Sequence, residues 1–499
     1  MPVLSLERRN APEWLILSLA CVAQFMVVLD ASVVNVALPS IGRALHYSPT
    51  GLQWVVNAYV LTFAGFLLLG GRAADIFGRR KIYIYGLALF SVASLIGGFA
   101  QNAAWLTSAR ALQGVGGAVI SPATLTIIIT TFSGARLVRA LGIWSAVGGA
   151  GGAAGVILGG VLTSELSWRW VLFINVPIGG AALLVAIVFL AEARRPTAKR
   201  MDIAGAVTAT AGLATLVYAV VGTDTHPWGS ARTLGTLGVA VVLLALFVAV
   251  ELRFASSPLV PFGVFKSRAL AGANVVMLLV GAAFFSMWYF LSLFVQDVLG
   301  QDALRAGLSF FPMGIAIIIG AQISARVLGK LGVRPLLLIG TAITAGGFAW
   351  LAQIHAGDSY WVHVFGPGSL VAFSLGILFT PLASAATAGV SQSEAGLASG
   401  VLNTSRQIGG SIGLAALATI ASARTHSLLA GGHTGTPEAL ASGFQRAFTV
   451  AAGLAALAFC SAFIVPKLRR AEPAAEQGAP LAVVPGEPAA VAAEASAAS

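Results

Sequence analysis

The stretch Phe25 to Gly42 reads F-M-V-V-L-D-A-S-V-V-N-V-A-L-P-S-I-G, an apolar helix with one carboxylate, Asp30, near its middle. An Asp at the centre of a membrane-spanning helix costs roughly 2.5–3.5 kcal/mol on insertion scales, so such a residue is rarely decoration. Whether this helix crosses a bilayer therefore decides how the whole chain is read. The 499 residues are 58% hydrophobic and only 9% charged. A soluble chain carries about 25% charged residues, so this composition is that of a polytopic membrane protein. The net charge of +11 fits basic loops on one side of a membrane and does not call for nucleic acid as a partner. Arg outnumbers Lys by 24 to 5, a hint of a high-GC bacterial genome. Cys21 and Cys460 fall inside apolar stretches, so neither a disulfide nor a metal site is indicated.

A spanning helix needs about 20 largely apolar residues. Fourteen such segments follow one another: Trp14–Leu38, Leu52–Gly71, Ile82–Ala100, Ala103–Ile128, Leu141–Leu162, Val171–Leu190, Ile203–Gly222, Leu234–Leu252, Ala271–Leu293, Gly307–Val327, Leu336–Ile354, Val362–Ala386, Leu397–Ala421 and Phe444–Val465. The first runs too long for a cleavable signal core, and Arg8 and Arg9 hold its start inside. With that orientation, 21 of the 29 Lys and Arg residues fall in cytoplasmic segments and 6 outside, while Arg110 and Arg406 lie within helices. The bias obeys the positive-inside rule and predicts both termini in the cytoplasm.

The expected fold is therefore all-α, fourteen spanning helices arranged six, two and six. The segments are a cytoplasmic N-terminus (1–13), a first six-helix half (14–190), a two-helix insert with linkers (191–269), a second half (270–465) and a tail (466–499). The tail is rich in Ala, Pro and Glu and reads as disordered. The outer loop from Arg424 to Gly443 reads as irregular. The halves echo each other weakly after their second helices, where G-R-A-A-D-I-F-G-R-R-K (Gly71 to Lys81) is answered by G-K-L-G-V-R (Gly329 to Arg334), Gly329 standing where Asp75 aligns. Repeated halves around a binding region are the usual build of secondary transporters.

Four motifs in order carry a resemblance to a known family. They are L-D-A-S-V-V-N-V-A-L-P (Leu29 to Pro39), the loop set Gly71, Asp75, Gly78, Arg79 and Arg80, R-A-L-Q-G-V-G-G-A (Arg110 to Ala118), and W-R-W-V-L-F-I-N-V-P-I-G (Trp168 to Gly179). From Trp14 to Val465 the chain resembles the fourteen-helix drug:proton antiporters of the major facilitator superfamily, including actinomycete-type antibiotic and multidrug exporters. The resemblance implies a major facilitator fold in a bacterial cytoplasmic membrane. It makes Asp75, Arg79 and Arg80 a latch between the halves, remade in each cycle. It also expects a Gly-Pro pair followed by Gly-Gly in helix 5. Here G-G-A-A-G-V-I-L-G-G (Gly151 to Gly160) has Val156 in place of the Pro. The small face at Gly148, Gly152, Gly151, Gly155, Gly159 and Gly160 still permits close helix approach, while the proline kink is absent.

Asp30 lies about 24 Å along helix 1 and Arg110 about 10 Å into helix 4 from the other side, similar depths in a core of about 30 Å. In the superfamily fold both helices border the central cavity, so the two charges are expected to face each other, either as a purely structural pair or as a proton-exchange site. Burial disfavours a charged carboxylate and a nearby guanidinium favours it, so helix movement can switch its protonation. Asn35, Gln113, Phe285, Trp288, Tyr289 and Arg406 are candidate cavity residues. Core or lipid-facing packing is the commoner reading of the aromatic run, F-F-S-M-W-Y-F (Phe284 to Phe290). Arg406, about 14 Å into helix 13, has no acid nearby in sequence and is expected to bind backbone carbonyls or substrate. Glu165, Asp297 and Glu394, near helix ends, read as solvated interface charges.

No G-x-x-x-x-G-K-[ST] cradle is present, so ATP hydrolysis is not expected. No cofactor, metal or catalytic constellation is indicated. The expected partners are the bilayer, protons and a drug-like small molecule, handled by a functional monomer. A nutrient symporter of the same superfamily and a polytopic membrane enzyme are the alternatives. The second would need a polar catalytic cluster, and none is visible.

Overall fold

The computed structural model describes residues 12–467 except 49, 191–201, 224–225, 256–257, 261, 389–394 and 433–434. Within these residues all fourteen expected spans are helical. The first half comprises α1 (Glu13–Ala44), α2 (Trp54–Ala74), α3 (Arg79–Gly98), α4 (Ala103–Thr131), α5 (Arg139–Leu166) and α6 (Trp170–Phe189). The insert is α7 (Ile203–Gly222) and α8 (Ala231–Phe254). The second half is α9 (Arg268–Val298), α10 (Ala303–Leu331), α11 (Val333–Leu351), α12 (Trp361–Thr387), α13 (Ala398–Ala430) and α14 (Thr436–Ala462). Two faces are named for convenience. The loop between α1 and α2 marks the Ser48 face, and the loop between α2 and α3 marks the Gly78 face.

The halves repeat one packing plan. α1 packs on α5, and α4 on both α2 and α3. In the second half α9 packs on α13, and α12 on both α10 and α11. The halves meet through α2 against α13 and through α5 against α10, the exchange expected of a pseudo-twofold. The weak sequence echo sits on this symmetry. Gly78 (φ 98°) and Gly332 (φ 81°) occupy matching positions between the second and third helices of each half, and both take the positive φ that glycine tolerates best.

Small residues set the close approaches. Where α5 crosses α1, a methyl added at Gly151 would meet the Phe25 carbonyl, one at Gly155 the Ser32 hydroxyl and Leu29 carbonyl, and one at Gly159 the Val33 carbonyl. Gly148 and Gly152 lie beside Gln24 and Val28 with ordinary contact distance to spare. Gly160 faces Ala303 and Leu304 across the seam with α10. Val156 is buried at the same seam, and its carbonyl would meet a methyl placed at Gly307. With no proline, α5 is helical without interruption until a π-turn at Leu162–Leu166.

The insert lies over the other seam. α7 contacts both α2 and α13, through Leu61, Leu213, Val217 and Ala415. α8 packs outside it and turns Val241 and Val242, 64% and 65% exposed, outward as a bilayer-facing surface.

One expectation is corrected. The segment from Arg424 to Gly443 is mostly helix, because α13 continues to Ala430 and α14 begins at Thr436. Thr425 bonds the Ala439 carbonyl at 3.2 Å and Gly443 packs on the Ala421 carbonyl, so the helix ends support each other beyond the apolar core. Asp297 is exposed, as expected of a solvated interface charge, and in addition pairs with Arg43 across the halves at 3.1 Å. A further acid is buried at the end of a spanning segment. Glu251, at the end of α8, is 5% exposed and accepts from the Leu259 and Val260 amides at 3.2 and 3.1 Å. Glu165 is exposed, as expected, while Glu394 and the tail from 468 lie outside the described residues.

Candidate functional site

Asp30 is fully buried, and its carboxylate is the centre of a network drawn from five helices. From α4, Arg110 donates through Nη1 to Asp30 Oδ2 at 2.6 Å and to Gln113 Oε1 at 2.7 Å, while Nε donates to the Val55 carbonyl of α2 at 3.0 Å. Gln113 Nε2 donates to Asp30 Oδ1 at 2.7 Å and to Ser94 Oγ of α3 at 3.1 Å. From α6, Asn175 Nδ2 donates to the same Asp30 oxygen at 2.8 Å and to Ser94 at 3.1 Å. The Tyr59 ring lies 4.4 Å from the Arg110 guanidinium carbon, a cation–π contact from α2.

Local sequence places each member. Arg110 and Gln113 are three apart on α4, hence on one helix face. Gly114, Gly116 and Gly117 of the same motif let α4 come against Tyr59, Phe90 and Phe63, which brings that face to α1. In α6, Pro177 cannot donate to the carbonyl of Phe173, and the helix breaks into Trp170–Phe173 and Asn175–Phe189. The break leaves Asn175 at the start of the longer piece. Arg169, from the same motif, donates to the carbonyls of Gly98 and Ala100 at 2.8 and 2.6 Å and so closes the end of α3.

Asp30 and Arg110 form a buried ion pair. A buried ion pair gains little net stability, but removing one partner strands the other at a cost of about 3–5 kcal/mol. Arg110 keeps two further acceptors, so it stays partly satisfied if Asp30 takes a proton. The Asn175 amide oxygen and the Tyr59 hydroxyl are buried without a partner. The centre thus contains unused acceptors beside a carboxylate whose present neighbours all donate to it.

The other candidates are spread more widely. Asn35 bonds its own helix at the Ala31 carbonyl, 2.9 Å away. Tyr289 is 2% exposed and packs edge-on against Phe290 with centroids 5.4 Å apart, whereas Trp288 meets Phe284 and Phe310 and Phe285 lies against Gly410. Arg406 is held by Asn403 Oδ1 at 2.8 Å and faces the Phe379 ring at 5.8 Å, with its Nε buried and unpartnered. The acceptor is a side-chain amide oxygen and not a backbone carbonyl, one of the two partners expected for it. In the loop set, Gly71 packs on Pro122, and Arg80 donates to the Ile187 carbonyl of its own half at 2.6 Å. Arg79 is half-buried, and the Asp75 side chain lies outside the described residues.

Ser94 and Asn175 complete the network without carrying a charge that marks them in the sequence. Asn175 had a signal, since it is the sole amide in the apolar stretch W-V-L-F-I-N-V-P-I-G-G.

Residues 20–414 match the Major Facilitator Superfamily. This chain belongs to that superfamily. It is 44% identical to the cephamycin export protein CmcT of Amycolatopsis lactamdurans over 92% of this chain and 93% of that one. It is 38% identical to the puromycin resistance protein pur8 of Streptomyces alboniger, over 89% and 88%. It is 34% identical to the tetracenomycin C resistance and export protein of Streptomyces glaucescens, over 82% and 76%. Among solved structures, a bacterial homologue of the lysosomal transporter Spinster superposes with a TM-score of 0.64 at 17% identity, covering 92% of this chain and 98% of that one. This likeness is one of fold. Membership and fourteen spans make the protein a multi-pass membrane transporter of the cell membrane.

Proposed function

We propose that this transporter is a drug:proton antiporter that exports amphipathic small molecules such as antibiotics, with Asp30 as the proton-coupling acid and Arg110 as its partner. The observation that carries the reading is the Asp30 carboxylate, fully buried and gathered by donors from Arg110, Gln113 and Asn175. Such a group is expensive in a membrane interior and is typical of a proton relay. The relatives named for cephamycin export, puromycin resistance and tetracenomycin C export support a drug-like cargo. Arg406, with a free Nε, and Trp288 are the side chains best suited to meet it.

The charge bias of the loops puts both termini and the Gly78 face in the cytoplasm, with the Ser48 face outside. The halves rock about the central site, and the Asp75, Arg79 and Arg80 loop acts as a cytoplasmic latch. Inward proton movement supplies about 2.3 kcal/mol per charge per 100 mV, enough to drive export without ATP. The protein works as a transporter rather than an enzyme, and as a monomer.

Everted vesicles test the reading. A proton gradient should drive uptake of a panel that includes a cephamycin, puromycin and tetracenomycin C, and Asp30→Asn should abolish that uptake with protein levels in the membrane unchanged. Gradient-driven uptake that persists in Asp30→Asn overturns the assignment of Asp30.

A further inference from the structure

Pro39 lies inside α1 and has no N–H, so the carbonyl of Asn35, four residues earlier, lacks its helical donor. That carbonyl is not left empty. Ser292 of α9, in the opposite half, donates to it from Oγ at 2.7 Å. One turn further along α9, Gln296 Nε2 donates to the Val36 carbonyl at 2.9 Å and to Ser292 Oγ at 3.1 Å. Both side chains are buried, Ser292 wholly and Gln296 to within 8%. Gln296 stands in the π-turn Phe294–Val298, and its neighbour Asp297 reaches Arg43 at the rim. Nearby, Ser164 Oγ accepts from the Leu304 amide at 3.0 Å across the α5–α10 seam.

We infer that Pro39, Ser292 and Gln296 form a clasp that holds the two halves closed at the Ser48 face, and that opening this face breaks it. The inference rests on the reading that the halves rock. The proline creates an acceptor that α1 cannot satisfy itself, and the other half supplies the donor only while that face is shut. When the face opens, water replaces Ser292 and Gln296, so the clasp biases the equilibrium without locking it. It lies on the same helix as Asp30, five and six residues further on. Arg43–Asp297, with 66% and 30% of its side chains accessible, adds less than the buried bonds do.

Distance measurements by electron paramagnetic resonance on the full chain in lipid nanodiscs test this. The native Cys21 and Cys460 are replaced by Ser, and spin labels are placed at Gln101→Cys and Ser359→Cys, exposed positions of the Ser48 face on opposite halves. The parent should show mainly a short distance. Ser292→Ala and Gln296→Leu should each lower the short-to-long ratio roughly fivefold, as expected for loss of one net hydrogen bond. Ser292→Thr, which keeps the hydroxyl, should restore the parent distribution. Pro39→Ala returns an N–H to α1, so it should lower the ratio by itself and cancel any further effect of Ser292→Ala. A distribution unchanged in Ser292→Ala and Gln296→Leu overturns the clasp, as does full additivity of Pro39→Ala with Ser292→Ala, or a parent lacking the short component. If Pro39→Ala fails to insert, the contrast between Ser292→Ala and Ser292→Thr decides.

Discussion

Asn175 donates to Asp30 Oδ1 at 2.8 Å from a helix that begins 140 residues after the acid, while its own amide oxygen has no partner in the buried centre. One amide therefore offers both what an ionised carboxylate needs and what a protonated one needs. Asn175→Ala should cut gradient-driven uptake about tenfold, the size of one hydrogen bond to a charged group, with little change in membrane abundance. Asn175→Leu should be at least as severe. Unchanged coupling in both, measured in everted vesicles at two external pH values, would remove Asn175 from the mechanism.

Arg110 uses separate nitrogens for separate tasks, Nη1 for Asp30 and Gln113 and Nε for the Val55 carbonyl. A lysine keeps the charge but presents a single ammonium and lacks the planar fork. Arg110→Lys is expected to insert normally and to lose at least 90% of coupled transport, a fall of roughly tenfold. Recovery of wild-type transport by Lys would show that charge alone suffices.

The α1–α5 crossing predicts a contrast between glycines. Gly155 leaves no space for a side chain beside Ser32 and Leu29, whereas nothing lies within 4 Å of the position a methyl would take at Gly142. Gly155→Leu should lower the detergent-solubilised melting temperature by several degrees, consistent with an overpacking cost of about 1–3 kcal/mol. Gly142→Ala should hold or raise it slightly, because alanine favours helix by about 1 kcal/mol over glycine. Scanning fluorimetry of the two variants checks the order.

Glu251 ties the insert to the segment that leads into α9 by accepting from the Leu259 and Val260 amides. Glu251→Ala strands one buried donor, the Leu259 amide, and one part-buried donor, the Val260 amide, and at about 1–3 kcal/mol for a buried donor should destabilise the protein clearly. Glu251→Gln keeps one acceptor oxygen and should fall between. Equal melting temperatures for all three would mean that the segment is held by other contacts.

Much of this architecture is legible in the chain because bilayer physics makes the signal coarse. Helix number follows from apolar run length, and Asp30 and Arg110 stand out because charge inside hydrocarbon is costly. Their similar depth follows from residue counting along α1 and α4. Uncharged polar residues do not stand out in the same way. Ser94 and Ser292 look like ordinary small residues of a spanning helix until the rotation of α3 and α9 is known, and hydropathy does not report rotation. The pairing of the exposed Asp297 with Arg43 is not legible because the two are 254 residues apart in sequence. Pro39 is visible in the motif, yet the carbonyl it vacates gains meaning only when the other half is placed against it.

The insert α7–α8 makes the two flanks of the molecule unlike. It covers the α2–α13 seam, while at the α5–α10 seam the two halves meet without it. An amphipathic compound dissolved in a leaflet meets an added wall on one flank and the bare junction on the other. A molecule built from two like halves thereby acquires a front and a back toward the membrane, with one flank covered by the insert and the other closed by α5 against α10 alone.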